Sequence, residues 1–305
     1  MSKILVIGSM NMDLVVQTER YPEAGETIIG GKFAQIPGGK GANQALAAAK
    51  LGDEVQFIGA CGDDSFAPML KSSLKNGGAK IDNIFEIKDK STGVAVITVD
   101  PEGNNRIIVS PGANYELDLA KIEKIKSQII EAEIILLQLE IPVETIAKIV
   151  EIAAANNTKI ILDPAPAQQL SDHILSEIDF LLPNEGELDL LMAAADAKTR
   201  SEKIEILLDK GVKNIIVTEG EKGLNFYNKE QALHLDALKV KAVDTTAAGD
   251  VFAGAFAASL ISENDLEKSL KCAVQAAAYS VSKRGAQSSI PDQNELNEFL
   301  AERSN

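Results

Sequence analysis

The sequence has very few of the residues that build disulfide frameworks or zinc sites. It contains two cysteines, Cys61 and Cys272, two histidines and no tryptophan in 305 residues. Two thiols cannot form a disulfide scaffold or a four-cysteine zinc site, and His173 and His234 add no ligand spacing to them. We therefore expect two buried, reduced thiols in a cytoplasmic protein.

Long hydrophobic runs are missing too. The longest apolar stretch, residues 251–261, is well short of the roughly 20 residues that span a bilayer, and the apolar run at residues 4–7 is too short for a signal peptide core. Acidic residues outnumber basic ones by 45 to 30, which gives a formal charge of −15. A surface of that charge repels phosphate backbones and anionic lipids, so we expect neither a nucleic-acid nor a membrane partner.

What the sequence does contain is an alternation of short apolar runs and helical patterns. The apolar runs lie at residues 3–8, 55–60, 134–139, 159–163, 180–183, 214–219 and 238–243, and the helical patterns at 42–51, 119–131, 145–155 and 201–209. Apolar strands separated by helices are typical of a mostly parallel sheet covered on both faces. Residues 1–305 are thus predicted to form one α/β domain, a three-layer α/β/α sandwich.

Two regions break this alternation and predict a small lid. Residues 13–36 and 93–110 each contain two extended runs with no helix between them, so they should pair as a small antiparallel sheet. The outer face of that sheet carries many apolar side chains: Ile28, Ile29, Val94, Val96, Ile107 and Val109. We expect the lid to cover a ligand, to pack against a partner subunit in a homodimer, or both.

Two familiar phosphate motifs are absent, since neither G-x-x-x-x-G-K-[ST] nor G-x-G-x-x-G occurs. In their place, the segment VDTTAAGDVFAGA at residues 243–255 leads from an apolar run through small residues into a helix. Ala247, Ala248 and Gly249 present backbone N–H groups that can stabilise an anionic oxygen at a helix N-terminus. Asp250, in the first turn, can accept a proton from an alcohol beside that anion hole. The alternative is that Asp250 only caps the helix.

A second helix start carries the segment PGGKGANQA at residues 37–45. Its glycines let the backbone approach a ligand closely, and Asn43 offers both a donor and an acceptor. Asn11 and Asp13 follow the first strand, and ligands of parallel sheets bind beyond the carboxyl ends of the strands. Lys40, Asn43, Asn11 and Asp13 should therefore converge on a polyhydroxyl ligand.

Other polar groups follow later strands. Glu140 comes after the run at residues 134–139, and Asn184 and Glu187 follow the run ending at Pro183. Asn-x-x-Glu at a helix start is also a common capping pattern. The glycine turn at residues 218–223 could equally be a plain hairpin, and the loop at residues 284–289 is ambiguous in isolation.

The segments GGKGAN at residues 38–43 and DTTAAGD at residues 244–250 together resemble the two signatures of the ribokinase (PfkB) family of sugar kinases. The resemblance covers nearly the whole chain, from residues 8–13 to residues 284–291. It implies a ribokinase-like fold and transfer of a phosphoryl group from ATP to the 5-hydroxyl of D-ribose. Kinases for 2-deoxyribose or a ketohexose, and a non-catalytic sugar-binding regulatory protein on the same fold, are the alternatives.

The resemblance also implies a role for each matching position. Asp250 would be the base, with an anion hole at Ala247, Ala248 and Gly249. The sugar would be held by Asn11, Met12, Asp13, Gly39, Lys40, Gly41, Ala42, Asn43, Glu140 and Asp250. ATP would be bound by Asn184, Glu187, Thr218, Glu219, Gly220, Glu221, Lys222, Gly223, Gly249 and Val274, with Glu187 helping to organise Mg²⁺. A monovalent cation, K⁺, would lie beside Asp244, Thr246, Ser280, Lys283, Gly285 and Ser289. Relatives often have a polar residue near the adenine where this chain has Val274.

Overall fold

The first strand, β1 (Ile4–Ile7), shows how the chain builds its core. All four of its side chains are buried, but Ile4 and Val6 belong to one apolar cluster and Leu5 and Ile7 to another. Side chains alternate between the faces of a strand, so β1 must be covered on both sides. In the computed structural model, which describes residues 3–52 and 54–303, β1 lies inside a nine-stranded sheet.

The other strands of this sheet are β4 (Val55–Gly62), β5 (Lys80–Ile87), β8 (Ile134–Gln138), β9 (Lys159–Asp163), β10 (Phe180–Leu181), β11 (Asn214–Thr218), β12 (Leu224–Tyr227) and β13 (Ala232–Leu235). Their order is β13-β12-β11-β10-β9-β8-β1-β4-β5. Every pairing from β11 to β5 is parallel, whereas β12 and β13 pair antiparallel at one edge. The predicted mostly parallel sheet is confirmed.

Helices cover both faces of the sheet. They are α1 (Lys40–Leu51), α2 (Phe66–Asn76), α3 (Leu119–Lys124), α4 (Lys126–Glu131), α5 (Val143–Ala154), α6 (Asp172–Leu175), α7 (Glu185–Leu191), α8 (Arg200–Asp209), α9 (Ala248–Glu263), α10 (Leu266–Val281) and α11 (Gln293–Ala301). Helices α1, α9 and α10 supply one core cluster, and α5, α7 and α8 supply the cluster on the opposite face. This is the predicted three-layer sandwich. None of the helices in the described ranges has both the length and the apolar character needed to cross a membrane.

The small sheet consists of β2 (Asn11–Gln17), β3 (Phe33–Gly38), β6 (Gly93–Val99) and β7 (Asn105–Ser110), in the order β3-β2-β6-β7. The pairs β2-β3 and β6-β7 are antiparallel as predicted, but the central pair β2-β6 is parallel. The reason is that β1 and β5 run in the same direction in the large sheet, and each leads into one of these two strands. Residues 26–32, predicted to be extended, precede β3 and belong to no strand, although the backbones of Gly31 and Lys32 are hydrogen-bonded to Gln17 at the end of β2.

Apolar side chains of this lid are exposed, as expected: Ile29 at 94%, Ile108 at 74%, and Phe33, Val96, Ile107 and Val109 at lower values. Ile28 and Val94 are only half-buried.

Two further predictions about secondary structure are wrong. Residues 119–131 form two short helices rather than one, because the chain breaks at Ile125, which has φ −109° and ψ 12°. Residues 238–243 are not a strand. They run past the edge strand β13, and their last residue donates a backbone hydrogen bond to the carbonyl of Val281, 2.7 Å away.

Candidate active site

Helix α9 begins with backbone N–H groups directed into open space. Ala247, the residue before it, has φ +62°, a left-handed conformation that is costly for a residue with a Cβ. The N–H groups of Gly249 and Asp250 donate to no other residue in the described part of the chain. A Cβ added to Gly249 would meet no atom within 4 Å. In the predicted anion hole the Gly249 N–H is therefore free of ordinary helical bonding, whereas the Ala248 N–H donates to the carbonyl of Thr245 at 3.3 Å.

A cavity of about 230 Å³ lies in front of these amides. It is lined by residues from both helix starts and from the carboxyl ends of several strands: Lys40, Asp163, Leu182, Asn184, Glu187, Thr218, Thr245, Ala247, Ala248, Gly249, Asp250, Phe252 and Ala253. Asp250, predicted to be the base, and the three residues of the predicted anion hole thus line one cavity together with Lys40. That arrangement is the one a transferring phosphoryl group needs.

Asp250 is 5% exposed and binds side chains of helix α1. Its Oδ2 accepts a hydrogen bond from Asn43 Nδ2 at 2.9 Å, and its Oδ1 accepts one from Gln44 Nε2 at 3.1 Å. Helix α9 receives no side-chain capping bond at its N-terminus. The alternative of a simple helix cap is therefore wrong, and the carboxylate is instead oriented by two amides toward the cavity.

Glu140, just after β8, gathers the residues predicted to hold a sugar. Its Oε2 accepts hydrogen bonds from the hydroxyl of Ser9, from Asn11 Nδ2 at 3.5 Å and from the Lys40 N–H at 3.3 Å. Asn11 Oδ1 in turn accepts a bond from Asn114 Nδ2 at 2.7 Å. The structure thus joins the ends of β1 and β8 to the start of α1, as the strand-end argument predicts.

The glycines before α1 allow close approach. Gly39 has φ +92°, and a Cβ there would lie 2.6 Å from the backbone nitrogen of Asn11. A Cβ on Gly38 would collide with the carboxylate of Asp13. Burial raises the pKa of Asp13 to about 7, and the nearby charges of Glu140 and Asp250 act in the same direction. A buried carboxyl group whose ionised form is disfavoured in this way is stabilised by a hydrogen bond to a hydroxyl group.

Lys40 is the only ammonium group among the residues that line the cavity. Its Nζ is 3.9 Å from Asp163 Oδ2. Burial by itself would lower the pKa of Lys40, but the carboxylates of Asp163, Asp250, Glu140 and Glu187 outweigh it and hold the pKa above its ordinary value. The Lys40 side chain is therefore a fixed positive charge that can attract phosphate oxygens in an otherwise acidic site.

Asp163 ends strand β9 and was not among the predicted site residues. Burial raises its pKa to about 7, the charge of Lys40 opposes this, and the charges of Asp250 and Glu187 add to it. The signal that could have found it is the one applied to Glu140, a carboxylate at the carboxyl end of a buried strand. Sequence reasoning also missed Ser9, Gln44, Asn114, Gln138 and Thr245.

Asn184 and Glu187 form a capping box at the start of α7. The Asn184 N–H donates to Glu187 Oε2 and the Glu187 N–H donates to Asn184 Oδ1, both at 2.8 Å. Both residues also line the cavity, as does Thr218, which bridges to Asn184. The capping interpretation is confirmed, and the box fixes both side chains beside the cavity, which is where the predicted role in binding ATP requires them.

The rest of the predicted nucleotide set lies away from the cavity walls. Glu219 forms an ion pair with Arg200, which also contacts Glu185. Gly220, Glu221 and Lys222 form a short 3-10 helix, and Gly223 has φ +98° against the backbone of β13. Val274 lies half-buried on α10 and packs against the core.

The two loops predicted to hold a monovalent cation are joined by Asp244. Its Oδ1 accepts the Thr246 N–H and its Oδ2 accepts the Gly285 N–H, both at 2.9 Å. Burial alone would raise the pKa of Asp244, but these bonds and the charge of Arg284 lower it below its ordinary value. Asp244 therefore stays charged between the loops.

The other predicted cation residues make local contacts. The hydroxyls of Ser280 and Ser289 donate to carbonyls of Ala277 and Ala286, at 2.9 and 2.8 Å. The Lys283 ammonium lies 5.2 Å from the centre of the Tyr279 ring. Within the described ranges, no cluster of three or more His, Cys, Asp or Glu side chains could hold a metal ion.

Comparison with known proteins identifies the family. The model of the pfkB family of carbohydrate kinases matches residues 1–293. The chain belongs to this family.

Individual relatives are similar in sequence and in structure to this kinase over nearly its full length. A ribokinase of Schizosaccharomyces pombe is 42% identical over 304 residues, 95% of each chain, and a deoxyribokinase of Salmonella typhimurium is 38% identical over 98% of each. The crystal structure of a Thermotoga maritima ribokinase superposes with a TM-score of 0.92 at 40% identity, covering 99% of this chain and 100% of the other. An Arabidopsis thaliana ribokinase complexed with ribose and ATP has a TM-score of 0.89 at 31% identity, covering 98% and 99%. The family and the fold inferred from the two motifs are confirmed.

Proposed function

We propose that this kinase transfers the γ-phosphoryl group of ATP to the 5-hydroxyl of D-ribose, giving D-ribose 5-phosphate and ADP. The observation that carries the proposal is the cavity that the Asp250 carboxylate shares with the first turn of α9, where the N–H groups of Gly249 and Asp250 have no hydrogen-bond partner among the described residues. Similarity to ribokinases over the full length of the chain supports the sugar, and a relative crystallised with ribose and ATP supports the pair of substrates.

In the proposed reaction, Asp250 accepts the proton of the sugar hydroxyl as its oxygen attacks the γ-phosphorus. The bond between that phosphorus and the oxygen bridging it to the β-phosphate breaks, and ADP leaves. The N–H groups at Ala247–Gly249 and the Lys40 ammonium stabilise the negative charge on the transferring group. Positioning supplies much of the acceleration, since both substrates are held in line.

The sugar hydroxyls are assigned to Asn11, Met12, Asp13, Gly39, Gly41, Ala42, Asn43 and Glu140, together with Lys40 and Asp250. Asn184, Glu187 and Thr218 are assigned to the nucleotide, with the turn at residues 219–223 and Val274 farther out. Glu187, Asp163 and Asn184 line the cavity, and their side chains carry oxygen donors of the kind that Mg²⁺ prefers. When bound with ATP, Mg²⁺ would neutralise phosphate charge.

The cation site and the lid are further parts of the proposal. K⁺ would lie between the loops joined by Asp244, beside Thr246, Ser280, Lys283, Gly285 and Ser289, where backbone carbonyls would supply most ligands. The lid, residues 13–36 and 93–110 of a single domain of residues 1–305, would close over the sugar and exclude water, because hydrolysis of ATP otherwise competes with transfer.

The exposed apolar face of the lid supports a homodimer, because contact with a second subunit would remove Ile29, Phe33, Val96 and Ile108 from water.

The use of ATP and the two unpaired thiols of this kinase suit a cytoplasmic enzyme. The charge of −15 disfavours nucleic acid as a partner.

A second candidate substrate is 2-deoxyribose, because a deoxyribokinase is nearly as similar to this chain as the ribokinase is. The test is a comparison of kcat/KM for ribose, 2-deoxyribose and fructose, measured by ADP release with Mg²⁺ and K⁺. Ribose should be preferred. A higher kcat/KM for 2-deoxyribose or fructose would contradict the proposed substrate.

A further inference from the structure

Two buried glutamines lie behind the carboxylate of Asp250. Gln44, on α1, donates from one amide nitrogen to Asp250 Oδ1 at 3.1 Å and to Asp163 Oδ2 at 2.8 Å. Its Oε1 accepts a bond from Nε2 of Gln138, on β8, at 2.6 Å. Both glutamines are fully buried, and neither lines the cavity. The side chain of Gln44 contacts the two carboxylates, and the side chain of Gln138 contacts Gln44.

The chemistry of these neighbours fixes which way each amide points. Ionised carboxylate oxygens accept hydrogen bonds and do not donate them, so the NH₂ group of Gln44 faces Asp250 and Asp163. The carbonyl of Gln44 then faces Gln138, whose NH₂ group must be directed at it. The Oε1 of Gln138 is left pointing at Gly8, without a hydrogen-bond partner among the described residues.

Gly8 is part of the same arrangement. A Cβ on Gly8 would collide with Oε1 of Gln138. The absence of a side chain at Gly8 therefore makes room for the outer amide, and the order Gly8, Gln138, Gln44, Asp250 runs without a break from β1 to the cavity. A buried acceptor without a hydrogen-bond partner, such as Gln138 Oε1, lowers the free energy of unfolding. The protein is therefore less stable than it would be with this acceptor paired, and the amides keep this orientation nonetheless.

We propose that Gln44 is a positioning residue that holds the Asp250 carboxylate in the orientation for proton abstraction, with its own amide fixed by Gln138. The inference rests on the proposed function, because it assigns Asp250 as the base. Asn43 holds Oδ2 and Gln44 holds Oδ1, so rotation of the carboxylate would break one of the two bonds. The amide nitrogen of Gln44 also lies between the two acids and donates to one oxygen of each, so it holds both carboxyl groups in place.

The test uses Gln44→Met, which keeps the length of the side chain and removes its N–H groups. We expect kcat to fall about 10- to 100-fold, the usual effect of removing a group that orients an active-site residue. The KM for each substrate should change by less than about threefold, since Gln44 touches neither. The acid limb of the kcat/KM profile should move to higher pH, because the Asp250 carboxylate loses one of its two hydrogen-bond donors.

Gln44→Glu separates positioning from packing. Glutamate has the same shape but places a third carboxylate against Asp250 and Asp163, so it should lose more activity than Gln44→Met at neutral pH. A packing role predicts the opposite order. As a matched control, Ile149→Val should lower stability by about 0.5–1.5 kcal/mol in the opposite core cluster without moving the pH profile.

Gln138→Met provides a second test if the Gln44 variants do not fold. It removes the donor that fixes Gln44, so the acid limb should again move upward, by less than in Gln44→Met. Wild-type kcat and an unmoved pH profile in a folded Gln44→Met or Gln138→Met protein would overturn the inference. Failure of the proposed function is a separate outcome, because the wild-type protein itself would then release no ADP with ribose.

Discussion

Asp250→Asn removes the proposed base with the smallest change of shape. Asp250 accepts one hydrogen bond on each oxygen, whereas asparagine has a single oxygen and would turn an NH₂ group toward either Asn43 or Gln44. The unmade bond would cost about 1–3 kcal/mol of folding free energy. Loss of one charge offsets part of this, because the charge of Asp250 raises the pKa of both Asp13 and Asp163. The folded state should therefore survive.

The effect on catalysis should be much larger. General-base catalysis typically contributes about 10²–10⁴-fold, which corresponds to ~2.7–5.4 kcal/mol of barrier. Asp250 is 5% exposed, so solvent cannot easily replace it as the proton acceptor. We expect kcat to fall by at least about 100-fold while the Kd for ATP changes little, since Asp250 is assigned to the sugar side of the cavity.

The assay couples ADP release to a spectroscopic signal, with ATP binding measured by calorimetry and folding by thermal melting. Asp172→Asn is the matched control and should behave as wild type, because Asp172 is an exposed acid that pairs with Lys210 and does not line the cavity. Retention of more than a few per cent of kcat in folded Asp250→Asn would refute the role of this residue as base.

Three other predictions follow from the site and the lid. Burial raises the pKa of Asp13 and Asp163 from 3.8 to about 7, so between these pH values the ligand-free folded state binds more protons than the unfolded state, and its stability should fall as the pH rises. Asp13→Asn should reduce the fall in melting temperature over this pH range, and an unchanged slope of melting temperature against pH would contradict the raised pKa of Asp13. K⁺ should increase the rate over a buffer without K⁺ or Na⁺, and Asp244→Ala should abolish that increase; equal wild-type rates in the two buffers would exclude the cation site. Ile108→Glu, which puts a charge on the exposed lid face, should give monomers in sedimentation at concentrations where the wild type is dimeric, and a monomeric wild type would contradict the proposed dimer.

Much of the fold could be predicted from hydrophobic patterning, and the failures have physical causes. Strand β1 is apolar at every position, and strand β8 is apolar at every position except Gln138, because both faces of each strand are covered, so the three layers could be predicted. The parallel pairing of β2 and β6 could not, because strand direction in the lid depends on where β1 and β5 end in the large sheet. Residues 238–243 have the composition of a strand but lie outside the ladder.

The site divides in the same way. Asp250, Lys40 and Asn43 lie in motifs whose glycines and small residues predict the start of a helix beside a bound ligand. Gln44 and Gln138 carry no such signal, because a glutamine in an amphipathic helix or a buried strand looks like any polar substitution. Their roles depend on two long-range contacts. Gln138 and Gln44 are 94 positions apart in sequence, and Gln44 and Asp250 are 206 positions apart, so no local sequence pattern contains either contact.

Identification of the product tests the central claim most directly. Wild-type protein is incubated with ribose, ATP, Mg²⁺ and K⁺, and the phosphorylated sugar is examined by phosphorus and carbon NMR. We predict one product, with phosphorus coupled to carbon 5 and its two protons, formed in a one-to-one ratio with ADP. Phosphorus attached to another carbon, or ADP formed without any sugar phosphate, would contradict the account.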